Sequence, residues 1–282
     1  MLTVSSPARI RYIFALLCVC SFAPFIRAQT TEADLESRLK DKPLYLRGRW
    51  RDNTLHFDPA GHLKGDSGPI TFTLSGFELK KVHLKQDKLI LEGRRVGLEL
   101  TNNKQLRIPL NQTIHIDIAA NPTGDYGPAL DAIFVNSLAD LVPALPFYWK
   151  TYASKNLLPT DKASALPTTS GATDASAQSQ QPLPLAKPRS IGGGIKPPKL
   201  LYAADPGFSE TARSLKHGGT TLLNLWVQPD GTVTNLSVVR AVGMGLDESA
   251  LAAAQQYKFA PATENGKPVL VELNVEVNFQ IY

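Results

Sequence analysis

Five histidines, at 56, 62, 83, 115 and 217, are the residues of this chain best suited to metal or acid–base chemistry. His56 and His62 bracket a turn that holds Asp58 and lies close to Asp66, and imidazole with carboxylate is a donor set that zinc accepts. No cysteine and no second tight pair joins them, so the group reads as turn chemistry, with no metal ligand assigned. Gly192-Gly193-Gly194-Ile195-Lys196 has the glycines of a phosphate loop. No strand precedes it and no Ser or Thr follows the lysine, so it reads as a flexible joint. Trp50, Trp149 and Trp226 read as core or interface anchors. No catalytic residue and no cofactor site stands out, and the chain reads as a non-enzyme. A weaker alternative makes its N-terminal half an enzyme or lipid carrier.

The chemistry left is recognition, and the elements that would position it can be taken in order. Residues 1–28 read as an export signal: Arg9 and Arg11 precede the apolar run Tyr12 to Phe22, Pro24 breaks it, and Ala28 sits before a cleavage point at Gln29. The alternative is an uncleaved membrane anchor, although the run is shorter than the ~20 residues of a spanning helix. Both cysteines, Cys18 and Cys20, lie there, so a cleaved chain has no disulfide or thiolate. The formal charge of +5 is uneven. Residues 153–199 hold six basic and two acidic groups, whereas 200–282 hold five and eight. A nucleic-acid face needs clustered cations on a folded surface, so no nucleic-acid partner is expected.

Residues 29–152 read as a mostly-β domain, a small barrel or sandwich, after a helix over Glu32 to Lys40. Strands are expected at Leu44–Arg51, Thr54–Asp58, Ile70–Leu74, Phe77–Lys85, Lys88–Arg95, Leu106–Leu110 and Thr113–Ala119, separated by Asn-, Asp- and Gly-bearing turns. Helical spacing from Leu130 to Val142, stopped by Pro143, predicts a helix packed on the sheet. Residues 153–199, rich in Pro, Ala, Ser and Thr and without an aromatic residue, read as a disordered linker.

Residues 200–282 read as helix, strand, strand, helix, strand: a three-stranded antiparallel sheet with two helices on one face. Ser209 is a fitting N-cap for the first helix, Pro229-Asp230-Gly231 is a hairpin turn, and Asp247 is expected to cap the second helix, Glu248 to Tyr257. The last strand, Val269 to Tyr282, alternates Val271, Leu273, Val275, Val277 and Phe279 with Glu272, Asn274, Glu276, Asn278 and Gln280. That period of two describes a half-buried strand with one wet face.

Within this half, several motifs occur in a fixed order. They are Pro229-Asp230-Gly231 between strands, Val238-Val239-Arg240 ending one, Gly245-Leu246-Asp247 opening a helix, Lys258-Phe259-Ala260-Pro261-Ala262 closing it, and Gly266-Lys267-Pro268-Val269 before the alternating strand. Over about 78 residues this resembles the C-terminal domain of the TonB energy-transducer family. The resemblance implies a periplasmic interaction domain. Its partners would be outer-membrane receptors, whose N-terminal peptide adds as a strand to the sheet edge, and inner-membrane motor proteins that supply force. Val271, Glu272, Asn274, Glu276, Asn278 and Gln280 would then flank the peptide. The leader offers no evident counterpart of the family's anchor helix with its polar motif. A non-energised periplasmic scaffold, or a homodimer formed through the same edge, therefore stands as the alternative.

Overall fold

The computed structural model describes residues 30–68, 72–101, 104–158 and 187–281. The leader and the middle of the connector, residues 159–186, lie outside the described residues, so the export-signal reading and most of the linker reading fall there.

The N-terminal half contains α1 (Glu32–Leu39), β1 (Leu44–Leu46), β2 (Thr54–Phe57), β3 (Ser75–Leu84), β4 (Lys88–Glu99), β5 (Leu106–Ala119), α2 (Gly127–Ile133), β6 (Phe134–Val135) and α3 (Lys150–Asn156). Thr31 starts α1 with a capping box: its side chain accepts from the Asp34 amide while the Asp34 carboxylate accepts from the Thr31 amide. Leu35 and Leu39, one turn apart, are buried against the sheet. The strands lie in the order β2-β5-β4-β3-β1-β6, with β2 parallel to β5. This is one open sheet, which corrects the expected barrel or sandwich. Helices α1 and α2 close one face, where Phe57, Leu91, Ile116 and Leu130 share a core. The other face carries His56, Lys81, His83, Glu92, His115 and Asp117 toward solvent.

Three expectations fail locally. Leu106 to Ala119 is one continuous 14-residue strand. Of the strand expected at Ile70–Leu74, residues 70 and 71 lie outside the described residues, and Phe72 to Leu74 form no strand. The helix expected through Val142 ends at Ile133, because Phe134 and Val135 pair with β1 instead. The chain then re-coils as a 3-10 turn, Ala139–Ala144, with Ser137 hydrogen-bonded to Asp140 at its start.

The connector is shorter than expected at both ends. Helix α3 runs to Asn156, with Ala153 and Leu157 buried. Chain described from residue 187 forms β7 (Arg189–Ser190), β8 (Ile195–Lys196) and β9 (Lys199–Tyr202). The glycines between β7 and β8 form a turn in which the Ile195 amide donates to the Gly192 carbonyl.

There follow α4 (Glu210–Ser214), β10 (Gly219–Val227), β11 (Val233–Arg240), α5 (Leu246–Ala254), β12 (Lys258–Ala260), β13 (Ala262–Glu264), β14 (Lys267–Val269) and β15 (Val271–Phe279). Ser209 caps α4 as expected, accepting from the Ala212 amide. The main sheet has four strands in the order β11-β10-β15-β7, one more than the sequence implied. Val269, expected to open the last strand, belongs to the β13–β14 hairpin turned by Asn265-Gly266.

The two halves are not separate bodies joined only by a tether. One apolar cluster contains Leu98, Leu141, Trp149 and Tyr152 from the first half and Leu223, Met244, Leu246 and Phe279 from the second. Its centre is the loop from Ala241 to Gly245. The Leu100 amide donates to the Val242 carbonyl at 2.9 Å, the Met244 amide donates to the Leu98 carbonyl at 3.2 Å, and Glu99 bridges to Gly243. Gly243 has φ +93°, and a Cβ there would stand 2.0 Å from the Leu98 carbonyl oxygen, so only glycine fits. Glu248 of α5 accepts from the Thr73 amide at 2.8 Å and from the Trp149 indole at 3.1 Å.

Candidate functional site

The candidate site is the outer edge of β15. Its inner edge pairs with β10 along its whole length, in register from Gly219 opposite Phe279 to Val227 opposite Val271. On the outer side β7 pairs in parallel with Val271 and Glu272. From Leu273 to Phe279 no strand among the described residues pairs with the outer edge. At about 3.4 Å per residue this leaves roughly 24 Å of strand whose outward main-chain groups can take an extended segment.

The alternation read from the sequence holds. Val271, Val277 and Phe279 are buried, Leu273 and Val275 half-buried, and Glu272, Asn274, Glu276 and Asn278 exposed. Leu273 and Val275 pack half-buried against the apolar cluster, and Phe208 packs edge-on to Phe279 with ring centres 5.5 Å apart. An added strand would lay alternate side chains over Leu273 and Val275.

The exposed polar residues lean inward more than the sequence reading implied. Asn274 accepts from Asn224 at 3.0 Å, Asn278 accepts from Thr220 at 3.3 Å, and Glu276 reaches over β10 to Arg240 at 2.9 Å. They form ladders across the wet face of the sheet, and Gln280 follows the strand's end, exposed. Val271 and Glu272 sit where β7 already pairs. Sequence reasoning missed β7, since two residues after a linker carry no periodicity, and missed the half-buried pair Leu273 and Val275 as the apolar floor of the edge.

Asp247 is a chemically perturbed group in the same domain. It was expected to cap α5, but Gly245, in the left-handed conformation at φ 83°, occupies that position. Asp247 lies inside the helix, fully buried, and accepts from the Val242 and Gly243 amides and the Thr221 hydroxyl. Burial, with Glu248 adjacent, pushes its pKa up to about 7. It fastens the loop that joins the two halves, so its task is structural.

The histidines do not converge. The His62 amide donates to the Asp58 carboxylate, and with the His62 ring at 3.1 Å and the Ala60 amide it holds Asp58 below its usual range. His56 faces Asp117 at 3.7 Å, and His217 lies between Glu99 and the Val242 carbonyl. No group of three or more potential metal ligands occurs among the described residues. No helix among them is long and apolar enough to cross a membrane.

Residues 204–281 match the family described as Gram-negative bacterial TonB protein C-terminal. The β10–β15 sheet with α4 and α5 is thus a TonB C-terminal-like domain, following a mostly-β region. Protein TonB of Vibrio cholerae is 28% identical over 87 residues, which cover 30% of this chain and 36% of that protein. The chain therefore spans about a third of that relative's length. The solution structure of the Pseudomonas aeruginosa TonB C-terminal domain aligns with 20% identity over 33% of this chain and 93% of that one, at a TM-score of 0.26.

Proposed function

We propose that this is a cell-envelope protein whose TonB-like domain captures an extended peptide of a partner by adding it as a strand to the outer edge of β15, between Leu273 and Phe279. The observation that carries this reading is that edge: fully paired on its inner side, without a strand partner among the described residues on its outer side past Glu272, and floored by half-buried Leu273 and Val275. Main-chain pairing supplies affinity and the alternate pockets supply selection. Given the family resemblance, the partner is an outer-membrane receptor or its N-terminal peptide, the compartment is the periplasm, and the process served is transport across the outer membrane. Coupling to inner-membrane motor proteins belongs to the same proposal.

A second reading, a non-energised adaptor, is favoured by the shared core. A TonB-like domain fastened to a neighbouring β domain by Gly243, Met244 and Glu248 does not search freely at the end of a tether. The two readings share the edge and differ in what pulls on it.

The test is an NMR titration of the isotopically labelled full chain with receptor box peptides. Saturable shifts in the amides of Leu273 to Phe279 are expected, and their absence rules strand capture out. Shifts in the same amides that depend on protein concentration without peptide would mean that a second copy occupies the edge. Mature N-terminal sequencing separates the two readings, because a chain beginning at Gln29 has no anchor through which a motor can act.

A further inference from the structure

We infer that residues 187–202, a strap lying across the surface of the TonB-like domain, form a docking surface for an anionic phospholipid membrane. The strap is ordered by three short pairings: β7 with the start of β15, β8 with β13, and β9 with β12. Those pairings fix its path without burying it. Of its residues only Pro188, Ile195 and Pro198 are half-buried, and the rest are exposed.

Its composition differs from the domain it lies on. The strap contains Lys187, Arg189, Lys196 and Lys199 and no acidic residue, whereas residues 200–282 carry an acidic excess. Arg189 is paired with Glu264, while Lys187, Lys196 and Lys199 contact no carboxylate among the described residues. Lys258 of β12 adds a further cation, in register with Tyr202. Such a cluster is drawn to the negative surface potential of anionic lipid.

Charge alone would suit any polyanion. The apolar side chains select lipid: Leu200 is 45% exposed, Leu201 66% and Tyr202 55%, with Ile191 at 42%. Among the described residues β9 pairs on one edge only, with β12, and all four of its residues are exposed. Exposed Leu200, Leu201 and Tyr202 beside lysines suit the boundary between headgroups and acyl chains, where aliphatic groups sink and the phenol and ammonium groups stay wet. The strap precedes β15 and shares its sheet through β7, so a membrane-seated strap would also fix the orientation in which the β15 edge is presented.

The test is amide hydrogen exchange of the full chain with vesicles of phosphatidylcholine alone or mixed with phosphatidylglycerol. The apolar residues 12–22 can bring the chain to either vesicle, so the neutral vesicle is the control. Exchange in 199–204 should slow at least tenfold on anionic vesicles at low salt and stay unchanged on neutral ones. That protection should be lost in Lys196→Glu/Lys199→Glu and in Leu201→Ser, exposed changes that leave the melting curve in place. Equal protection on both vesicles, or protection that survives the charge reversal, overturns the inference. So does equal protection by soluble polyphosphate in the parent and Leu201→Ser, which would mean a soluble polyanion site. Protection that rises with protein concentration in the absence of vesicles would mean a second copy, and also overturns it.

Discussion

Two strand edges of this molecule meet opposite fates. At the end of β4, Leu98 to Leu100 is met by the Val242–Met244 loop of the other half, which satisfies main-chain groups on both sides and drives Met244 into the shared core. At β15 the edge from Leu273 onward is left without a strand partner among the described residues. The first contact is shaped so that little else fits it: glycine at 243 with a positive φ, and a glycine at 97 whose place a Cβ would dispute with the Met244 sulfur at 2.4 Å. The second has half-buried aliphatic residues on one face and exposed polar residues on the other. A closed edge needs complementarity of single atoms, whereas an edge kept for a partner needs only main chain and a tolerant floor.

The largest effect should come from breaking the closed edge. Gly243→Val forces a branched residue to positive φ and sets its Cβ against the Leu98 carbonyl, and should cost about 3 kcal/mol or more. Denaturant unfolding followed separately by Trp149 fluorescence, with Trp50 and Trp226 replaced by Phe, and by β-sheet circular dichroism should lose its coincidence as the halves part. The capacity of the β15 edge should survive, and if it is lost the two edges are not independent.

Next comes Asp247, which holds the closing loop from within. Asp247→Ala removes the acceptor for two amides and a hydroxyl and should cost about 2–3 kcal/mol. Its pKa is raised to about 7 in the folded chain from an ordinary 3.8. Between these values the native state holds a proton that the unfolded chain has released, so this group's contribution to stability falls as pH rises from about 4 to 7 and is flat above. Carboxylates held below their usual range, such as Glu78 beside Lys80 and Arg94, act with the opposite sign, so the difference between parent and Asp247→Ala isolates the group. That difference should shrink steadily as pH is raised from 4 to 7 in chemical denaturation, and a pH-independent difference would refute it.

A smaller effect is expected from Glu248→Ala, which leaves the Thr73 amide and the Trp149 indole without their acceptor, at about 1–2 kcal/mol. The Trp149 emission maximum should move with it when Trp50 and Trp226 are replaced by Phe. This bond also shows where sequence reading stops. The hairpin at Pro229-Asp230-Gly231, the alternation of β15 and the Ser209 cap were all legible, because each is decided by residues within a few positions of one another. Glu248 meeting Trp149 across 99 residues, Met244 filling the space above Gly97, and β7 joining the sheet are decided by packing between distant segments. Asp247 was misread for the same reason: Asp before a helical run is a good cap, but here the left-handed Gly245 takes the cap and the acid is turned inward to the Val242–Gly243 amides. At the candidate site the strand and its two faces were legible, while the stretch left open was not, since β7 sets where it begins.

The smallest expected effect sharpens the comparison from the open side. Glu276 and Arg240 form the longest reach across the wet face, bonded at 2.9 Å, and both side chains are more than half exposed. An exposed pair of this kind gains little, because solvent screens the attraction and two long side chains lose freedom in making it. Glu276→Ala should therefore leave stability within about 0.5 kcal/mol of the parent. Peptide affinity should also change less than about threefold if capture is carried by the main chain of Leu273 to Phe279, since a side chain bonded back across β10 lies over the sheet and not along its edge. Leu273→Asp, which charges the apolar floor, should instead weaken peptide binding at least tenfold in calorimetric titration. If Glu276→Ala abolished binding and Leu273→Asp did not, recognition would lie on the outer face, and the open edge would be no more than an unfilled end of the sheet.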